Sequence, residues 1–530
     1  MEANIFDVIV IGAGFAGMAM VNRLHENGFS VQGFEAGGDV GGTWYWNRYP
    51  GARCDVPSME YSYRFSEALQ QEWEWSERYA AQPEILRYAN HVADRFDLRR
   101  YFRFNTPVER AEYDEASAHW RITAADGSIT HAHYLITAVG CLSAANTPDI
   151  PGLDEFSGDL IHTARWPEGV DFSSKRVGVI GTGSSGVQAI PIIAEQAREL
   201  TVFQRSAAYC VPARNRPLDR PEVADIKRDY KGFRDLCGTR FGAYNITPNM
   251  QSALDVDAAE RQSIFEKAWQ AGGLPFMGAF ADLLYNMDSN DAAMDFFSGK
   301  IREIVKDPET AARLMPKHRF GVKRLCVDTG YYETYNRPNV QLVDLADEPI
   351  ERVTKTGIRT TKAAYDLDIL VLATGFDAMT GPLLRMDIRG NRGTRLRDVW
   401  SHGAETYLGL GVAGFPNMFI LSGPGSPSVL TNMVYSIEQH VDWVTDCLLH
   451  LRRHGLQGIE AEAAPQSAWG EELNALSAGS LIATGNSWYT GANIPGKPRR
   501  FMVHMIYPAY VARCEEVAAE GYQGFRLSGG

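Results

Sequence analysis

Two glycine-spaced turns in this sequence could hold a pyrophosphate: Gly12-Ala-Gly14-Phe-Ala-Gly17 and Gly181-Thr-Gly183-Ser-Ser-Gly186. Glycine at those positions lets the backbone approach phosphate oxygens, and the helix that follows sets its N-terminus against their charge. The pattern alone is weak, since a chain with 50 glycines in 530 residues yields about 0.4 matches by chance. Context supplies the rest. Each copy follows a short β-branched apolar run, Asp7-Val-Ile-Val-Ile11 or Arg176-Val-Gly-Val-Ile180, and opens a helical pattern, to Asn27 or towards Arg198, which is the order strand, turn, helix.

The residue that meets a ribose stands about 20 positions beyond the first glycine, and here the copies part. The first has Glu35, whose carboxylate accepts hydrogen bonds from ribose hydroxyls and repels a 2'-phosphate. The second has Gln204 followed by Arg205, a neutral amide beside a guanidinium with five fixed donors for phosphate oxygens. An unphosphorylated dinucleotide (FAD) and NADPH are implied.

Holding two such units takes a long chain, and 530 residues correspond to two to four domains at about 100 to 200 residues each. Hydrophobic residues at 45% and charged residues at 22% describe a folded globular protein. A net charge of -13 argues against a nucleic-acid-binding surface. The seven cysteines are scattered without any C-x-x-C, which indicates neither a disulfide framework, a zinc ribbon nor a redox dithiol and suits a reducing compartment. The early apolar stretch from Val8 to Val21 has an acidic Glu2 and no Lys or Arg before it, unlike a secretory leader, and no run approaches the ~20 apolar residues of a membrane span. The expectation is a soluble cytoplasmic protein.

Two further apolar strands end alike, Tyr134 to Gly140 and Asp368 to Gly375, and close the two nucleotide units. Residues 209–317 are rich in charge, Ala and Phe; Ala258 to Ala271 and Ala292 to Ile304 have helical periodicity. From about 380 the chain turns apolar and glycine-rich, and the segment 479–497, with glycines at 479, 485, 491 and 496, is expected to be a mobile loop. His131-Ala-His133 has the spacing of an exposed hairpin edge, with no third ligand nearby; no metal is assigned.

The segment Phe156-Ser-Gly158-Asp-Leu-Ile-His162-Thr-Ala-Arg-Trp166-Pro167 resembles the F-x-G-x-x-x-H-x-x-x-W-P fingerprint of the type I Baeyer-Villiger monooxygenases, placed just ahead of the second glycine turn as in that family. Gly41-Gly42-Thr43-Trp44 through Arg53-Cys-Asp55, the pair Lys323-Arg324, and Gly485-Asn-Ser-Trp488 through Lys497 extend the resemblance over nearly the whole chain. It implies an α/β fold with two Rossmann-like dinucleotide-binding domains, each discontinuous in sequence, plus a helical insertion. FAD would be held by 1–145 and 379–530, NADP by 146–208 and 318–378, with the insertion at 209–317.

The activity implied is NADPH- and O2-dependent conversion of ketones to esters or lactones through a flavin C4a-peroxide, with sulfides as further substrates. Such chemistry needs a cation to stabilise a peroxide and then an oxyanion, and a site that keeps water out. Arg324 is the implied cation and Asp55 its partner carboxylate. FAD would be bound by Gly12, Gly14, Phe15, Ala16, Gly17, Glu35, Gly42, Thr43, Trp44, Asp55, Tyr61 and Met433. NADP would be bound by Arg53, Asp55, Thr182, Gly183, Ser184, Ser185, Gln188, Arg205, Ser206, Lys323 and Trp488. Leu142, Leu430, Met433 and Met502 would line an apolar ketone pocket, and Gly423 to Met433 has a length closer to the phenylacetone and steroid branch than to the cyclohexanone branch. His162 is assigned to the interdomain linker rather than to general-base work. A ketone and molecular oxygen are the only partners implied; the oligomeric state stays open. A flavin N-monooxygenase, an NADPH oxidase, or a non-catalytic flavin- and NADP-sensing protein would keep both glycine turns.

Overall fold

The structure, a computed structural model, describes residues 5–529; residues 1–4, among them the Glu2 weighed above, and residue 530 lie outside the described residues. β1 (Ile5–Ile11) enters the first glycine turn and the helix Phe15–Glu26, and the chain returns as β2 (Val31–Phe34). β3 (Phe102–Arg103), β4 (Val108–Asp114), β5 (His119–Ala124) and β6 (Ile129–Thr137) follow. The second unit begins with β7 (Asp159–His162), β8 (Arg176–Ile180), the helix Ser184–Gln196 and β9 (Glu199–Gln204). Past a short β10 (Cys210–Pro212) and a helical region come β11 (Cys326–Asp328), β12 (Val340–Asp344), a meander of β13 (Ile350–Thr354), β14 (Gly357–Thr360) and β15 (Ala364–Asp366), and then β16 (Ile369–Leu372). β17 (Asp387–Arg389), β18 (Met418–Ile420) and the antiparallel pair β19 (Leu456–Ala461) and β20 (Phe525–Gly529) complete the strands.

These strands form two principal sheets. One runs β17-β4-β5-β6-β1-β2-β3 with β18 added to β6; the other runs β12-β9-β8-β16-β7. The first therefore contains strands from both ends of the chain, and the second is closed by β16, which arrives after the helical region. β1 and β8 sit inside their sheets with parallel neighbours on both sides. Coverage on both faces is why their sequences are nearly unbroken apolar runs.

β6 lies between β5 and β1, so His131 and His133 are half-buried in an interior strand, not on the expected exposed edge; the His133 ring stands 4.3 Å from that of His119 on β5. Hydrophobic alternation shows which face a residue takes but not how many strands flank it. In the helical region, Ala258–Ala271 is a helix with Asp257 accepting from Glu260 N. The next helix starts at Met287, earlier than its apolar periodicity suggests, because Asn286 caps it by accepting from Asp288 N and Ser289 N. Phe265, Phe276, Phe296, Phe297 and Phe320 are all buried and pack edge-to-face or stacked, tying these helices to the approach to β11. Truncating one such ring to Ala costs about 3–5 kcal/mol.

Candidate functional site

The two glycine turns repeat one set of contacts. Gly12 N donates to Phe34 O (2.7 Å) and Ala138 N to Ile11 O (2.8 Å); in the second turn Gly181 N donates to Phe203 O (3.1 Å) and Ala373 N to Ile180 O (2.9 Å). Gly12 and Gly181 adopt φ of 107° and 109°, where a side chain is strained. A Cβ on Gly17 would lie 1.8 Å from Gly12 O, and one on Gly186 2.3 Å from Gly181 O. The first and third glycines are thus fixed by the strand–helix junction itself. The middle glycines differ: Gly14 faces the Cα of Gly42, 3.4 Å from where its Cβ would be, whereas Gly183 faces nothing within 4 Å.

The first turn fits a dinucleotide with a free ribose. Glu35 is buried, with Oε2 accepting from Ala13 N and Oε1 from Gly37 N, both at 2.7 Å, and its remaining lone pairs are available to hydroxyls. Ala16 is buried behind the turn. Phe15 packs on Tyr61 and Tyr63 with centroids 5.8 and 5.2 Å away, and Trp44 Nε1 donates to Tyr61 Oη at 3.1 Å. Gly42 and Thr43 open the short helix Thr43–Trp46 across from the turn.

The second turn fits a phosphorylated partner, though not as the spacing suggests. Gln204 points inward, its Nε2 donating to Arg313 O at 2.8 Å and its Oε1 left without a partner; it is removed from any ribose. Strand alternation turns its neighbour outward, and Arg205 and Ser206 are exposed. Burial, then repulsion from Arg205, pulls Lys323 below its ordinary value. Two adjoining cations, neither with a carboxylate partner among the described residues, make a ready anion site beside the open Gly183. Thr182 Oγ1 donates to Ser206 O (2.9 Å), joining the turn to that site, and Ser184 and Ser185 open the helix.

Between the turns, Tyr49 Oη donates to Gln188 Oε1 (2.8 Å) and Gln188 Nε2 donates to Arg53 O (3.0 Å). The Arg53 guanidinium is itself committed to Glu77 and Tyr79 O. Gln188 and Arg53 therefore stand at the seam of the two units rather than free in a nucleotide groove. Beyond that seam lies Arg324. Its Nε and Nη2 donate to Asp55 Oδ2 at 3.1 and 2.8 Å and its Nη1 donates to Val429 O at 3.0 Å, leaving one N–H on each terminal nitrogen uncommitted. Burial opposes the charge, but Asp55, with Tyr244 and Tyr489 alongside, outweighs it and raises the guanidinium well above its ordinary value.

A cavity of about 160 Å³ opens on the Asp55 side, lined also by Tyr79, Tyr244, Glu60 and Arg78. Leu142, Leu430, Met433 and Met502 share one apolar cluster with Val429, Trp488 and Tyr489, and Met502 N donates to Tyr489 O. The segment 479–497 is folded onto this cluster through two short helical turns, Leu481–Thr484 and Trp488–Thr490, with Trp488 half-buried at 4.4 Å from the Tyr489 ring. Tyr489, Tyr244 and the Val429 carbonyl escaped the sequence reading. Tyr489 had a signal, its place beside Trp488; Tyr244 lies in the helical region without any motif.

The fingerprint residues do not form a free linker: Asp159–His162 is β7, the edge strand of the second sheet, with His162 in register with Leu372 of β16. His162 Nδ1 accepts from Ala164 N (3.0 Å) and its Nε2 lies 3.3 Å from both Asn146 O and Thr374 Oγ1, while burial lowers its pKa. A Cβ on Gly158 would meet Asp368 O and the Phe156 ring. Trp166 and Pro167 line an open cleft of about 340 Å³ with Arg48 and Glu168.

Known proteins resemble this chain over nearly its whole length. A family profile described as pyridine nucleotide-disulphide oxidoreductase matches residues 9–219. A Baeyer-Villiger monooxygenase of Pseudooceanicola batsensis is 43% identical, with 98% of this chain and 95% of the relative covered. A phenazine N-monooxygenase of Lysobacter antibioticus is 41% identical, covering 98% and 97%. Among solved structures, an oxidised steroid monooxygenase bound to NADP is 52% identical with a TM-score of 0.95, covering 99% of this chain and 100% of that one. An OTEMO complex with FAD and NADP is 43% identical with a TM-score of 0.96 and the same coverage.

Proposed function

The chain belongs to the Baeyer-Villiger monooxygenase family, and from that premise we propose that it oxidises bulky apolar ketones, cyclic or aryl, with Arg324 as the group that touches the reacting oxygen. It is an FAD-dependent oxidoreductase that uses NADPH and molecular oxygen to convert ketones to esters or lactones. The bound flavin supplies hydride acceptance and oxygen activation. Everything else falls to the chain.

We assign FAD to 1–145 and 379–530, where Glu35 and the first turn lie, and NADP to 146–208 and 318–378, where Arg205 and Lys323 meet. The observation that carries the proposal is the Arg324 guanidinium, held by Asp55 on one edge and the Val429 carbonyl on another with two N–H groups uncommitted. A charge so fixed and partly withdrawn from water stabilises an oxyanion developing on a ketone without having to reorganise. The apolar cluster of Leu142, Leu430, Met433 and Met502 borders it and favours substrates that shed water readily. Trp488 and Tyr489, folded against that cluster, would exclude water from the nucleotide side. No helix among the described residues is long and apolar enough to cross a membrane; seven free cysteines suit a cytoplasmic location.

The test is a panel of cyclic, aryl and steroidal ketones with NADPH, scored by the gain of one oxygen in the product mass and by ester identity. NADPH oxidation without any ester would overturn the proposal, and N-oxide formation from an added phenazine with no ketone turnover would move the chain to the chemistry named for the Lysobacter relative.

A further inference from the structure

Cys210 and Cys326, far apart in sequence and outside any C-x-x-C, are brought side by side. They are register partners on the parallel pair β10–β11, so their side chains leave the same face of the ribbon. Neighbouring strands lie about 4.8 Å apart, within the roughly 4.4–6.8 Å of Cα separation that a disulfide bridges. Both residues are buried, at 0% and 3% exposure. Each sulfur contacts a nearby backbone carbonyl, Cys210 Sγ with Ala208 O at 3.7 Å and Cys326 Sγ with Arg324 O at 3.8 Å; the neighbouring Cys210, helped by Ser184 and Arg324, lowers Cys326 against burial and Asp55, whereas burial raises Cys210. The difference makes Cys326 the better attacking group of the two and Cys210 the resolving thiol.

The pair also has an address. Cys326 Sγ stands 3.5 Å from Ser184 Oγ, at the first residue of the helix after the open turn, and two residues beyond Arg324. A small oxidant entering the nucleotide groove past exposed Ser184 meets Cys326 before Cys210.

We propose that Cys210 and Cys326 are a modification site, a dithiol that hydrogen peroxide converts to a reversible disulfide, weakening NADP binding. The Cys326 sulfur attacks one peroxide oxygen, the O–O bond breaks, and a sulfenic acid and water result. The Cys210 sulfur then attacks the sulfenic sulfur, its proton leaves with the hydroxyl as a second water, and the S–S bond forms. Two thiols lose two electrons and peroxide is reduced to two waters. Closing the bond draws Cys326 away from Ser184 and shifts the strand that follows Lys323 and Arg324. The site would act as a brake: peroxide released by turnover that misses its ketone would slow further NADPH use. The origin of the oxidant and the seating of NADP at the second turn rest on the function proposed above.

The test uses the FAD-loaded protein without NADPH or ketone, treated with hydrogen peroxide. Expected are a cross-linked peptide pair containing Cys210 and Cys326 two hydrogens lighter than its parts, a fall of about tenfold in NADP affinity, the effect of one lost bond to charged phosphate, and recovery of both by dithiothreitol. Pre-bound NADP should slow the cross-link. Cys210→Ala, with Cys210→Ser as the alternative if packing suffers, should show neither the cross-link nor any reductant-reversible change. Absence of the cross-link in the parent protein, a cross-link that leaves NADP affinity unchanged, or a reversible loss that persists without Cys210 would each overturn the proposal. Because peroxide is added directly, inactivity toward every ketone would leave this outcome readable.

Discussion

The two glycine turns share a backbone and differ in what surrounds it. The first is closed: Gly14 is met by Gly42, and the strand end carries a buried carboxylate fixed by two backbone N–H groups. The second is open: Gly183 faces space, the strand-end amide turns inward, and two cations without a carboxylate partner among the described residues flank the groove. A resident cofactor suits the first arrangement and an exchanging one the second. The lesson is that G-x-G-x-x-G fixes a strand–helix junction, while the residues around it decide what is bound and for how long.

The harshest way to break this comparison is at the junction. Gly17→Ala sets a Cβ on Gly12 O and should yield protein without flavin, or none that is soluble; purified Gly17→Ala with full FAD absorbance would show that packing does not fix that glycine. Next comes the group between the turns. Arg324→Ala should keep FAD and remain reducible by NADPH, since both turns are intact, yet lose about 10² to 10³ in ester formation. Anaerobic flavin bleaching followed by an ester assay separates the halves, and near-normal ester would remove Arg324 from the chemistry.

A smaller change sharpens the contrast. Arg205→Ala should weaken NADPH by about 10 to 100-fold through loss of a charge-assisted bond of roughly 1.5–3 kcal/mol, with NADH hardly affected; undiminished discrimination between the two would hand the phosphate to Lys323 alone. The smallest effect belongs to Gly183→Ala, whose methyl enters open space. Thermal stability should move by no more than about 0.5 kcal/mol, with FAD content unchanged and any loss confined to NADPH affinity. Loss of flavin from that variant would erase the distinction between the turns.

Much of this was legible in the residues. The strands, both turns, Glu35 and Arg205 follow from local pattern, because a βα junction is made by residues adjacent in sequence and its glycines are demanded by contacts within about 20 positions. The fingerprint put His162 on an interdomain linker, whereas the structure has it end β7 of the second sheet, with its ring between Asn146 O and Thr374 Oγ1. Less was legible at the site's centre. Gln204 was read as facing the ribose because spacing counts residues and not the side to which a strand turns them. Tyr244 and the Val429 carbonyl left no pattern and Tyr489 only its place beside Trp488, since each reaches Arg324 from a separate stretch of chain.

By itself, then, the sequence marked two glycine turns followed by different strand ends, Glu35 in one and Gln204-Arg205 in the other, and named the family it resembles. Only the tertiary structure decided which side chains gather around Arg324, that Gln188 and Arg53 hold the seam, and that Cys210 meets Cys326. The physical reason is the range of the contacts: a turn closes over a few residues with its own hydrogen bonds, whereas the Asp55–Arg324 pair and the β10–β11 register join stretches far apart in the chain, 55 with 324 and 210–212 with 326–328.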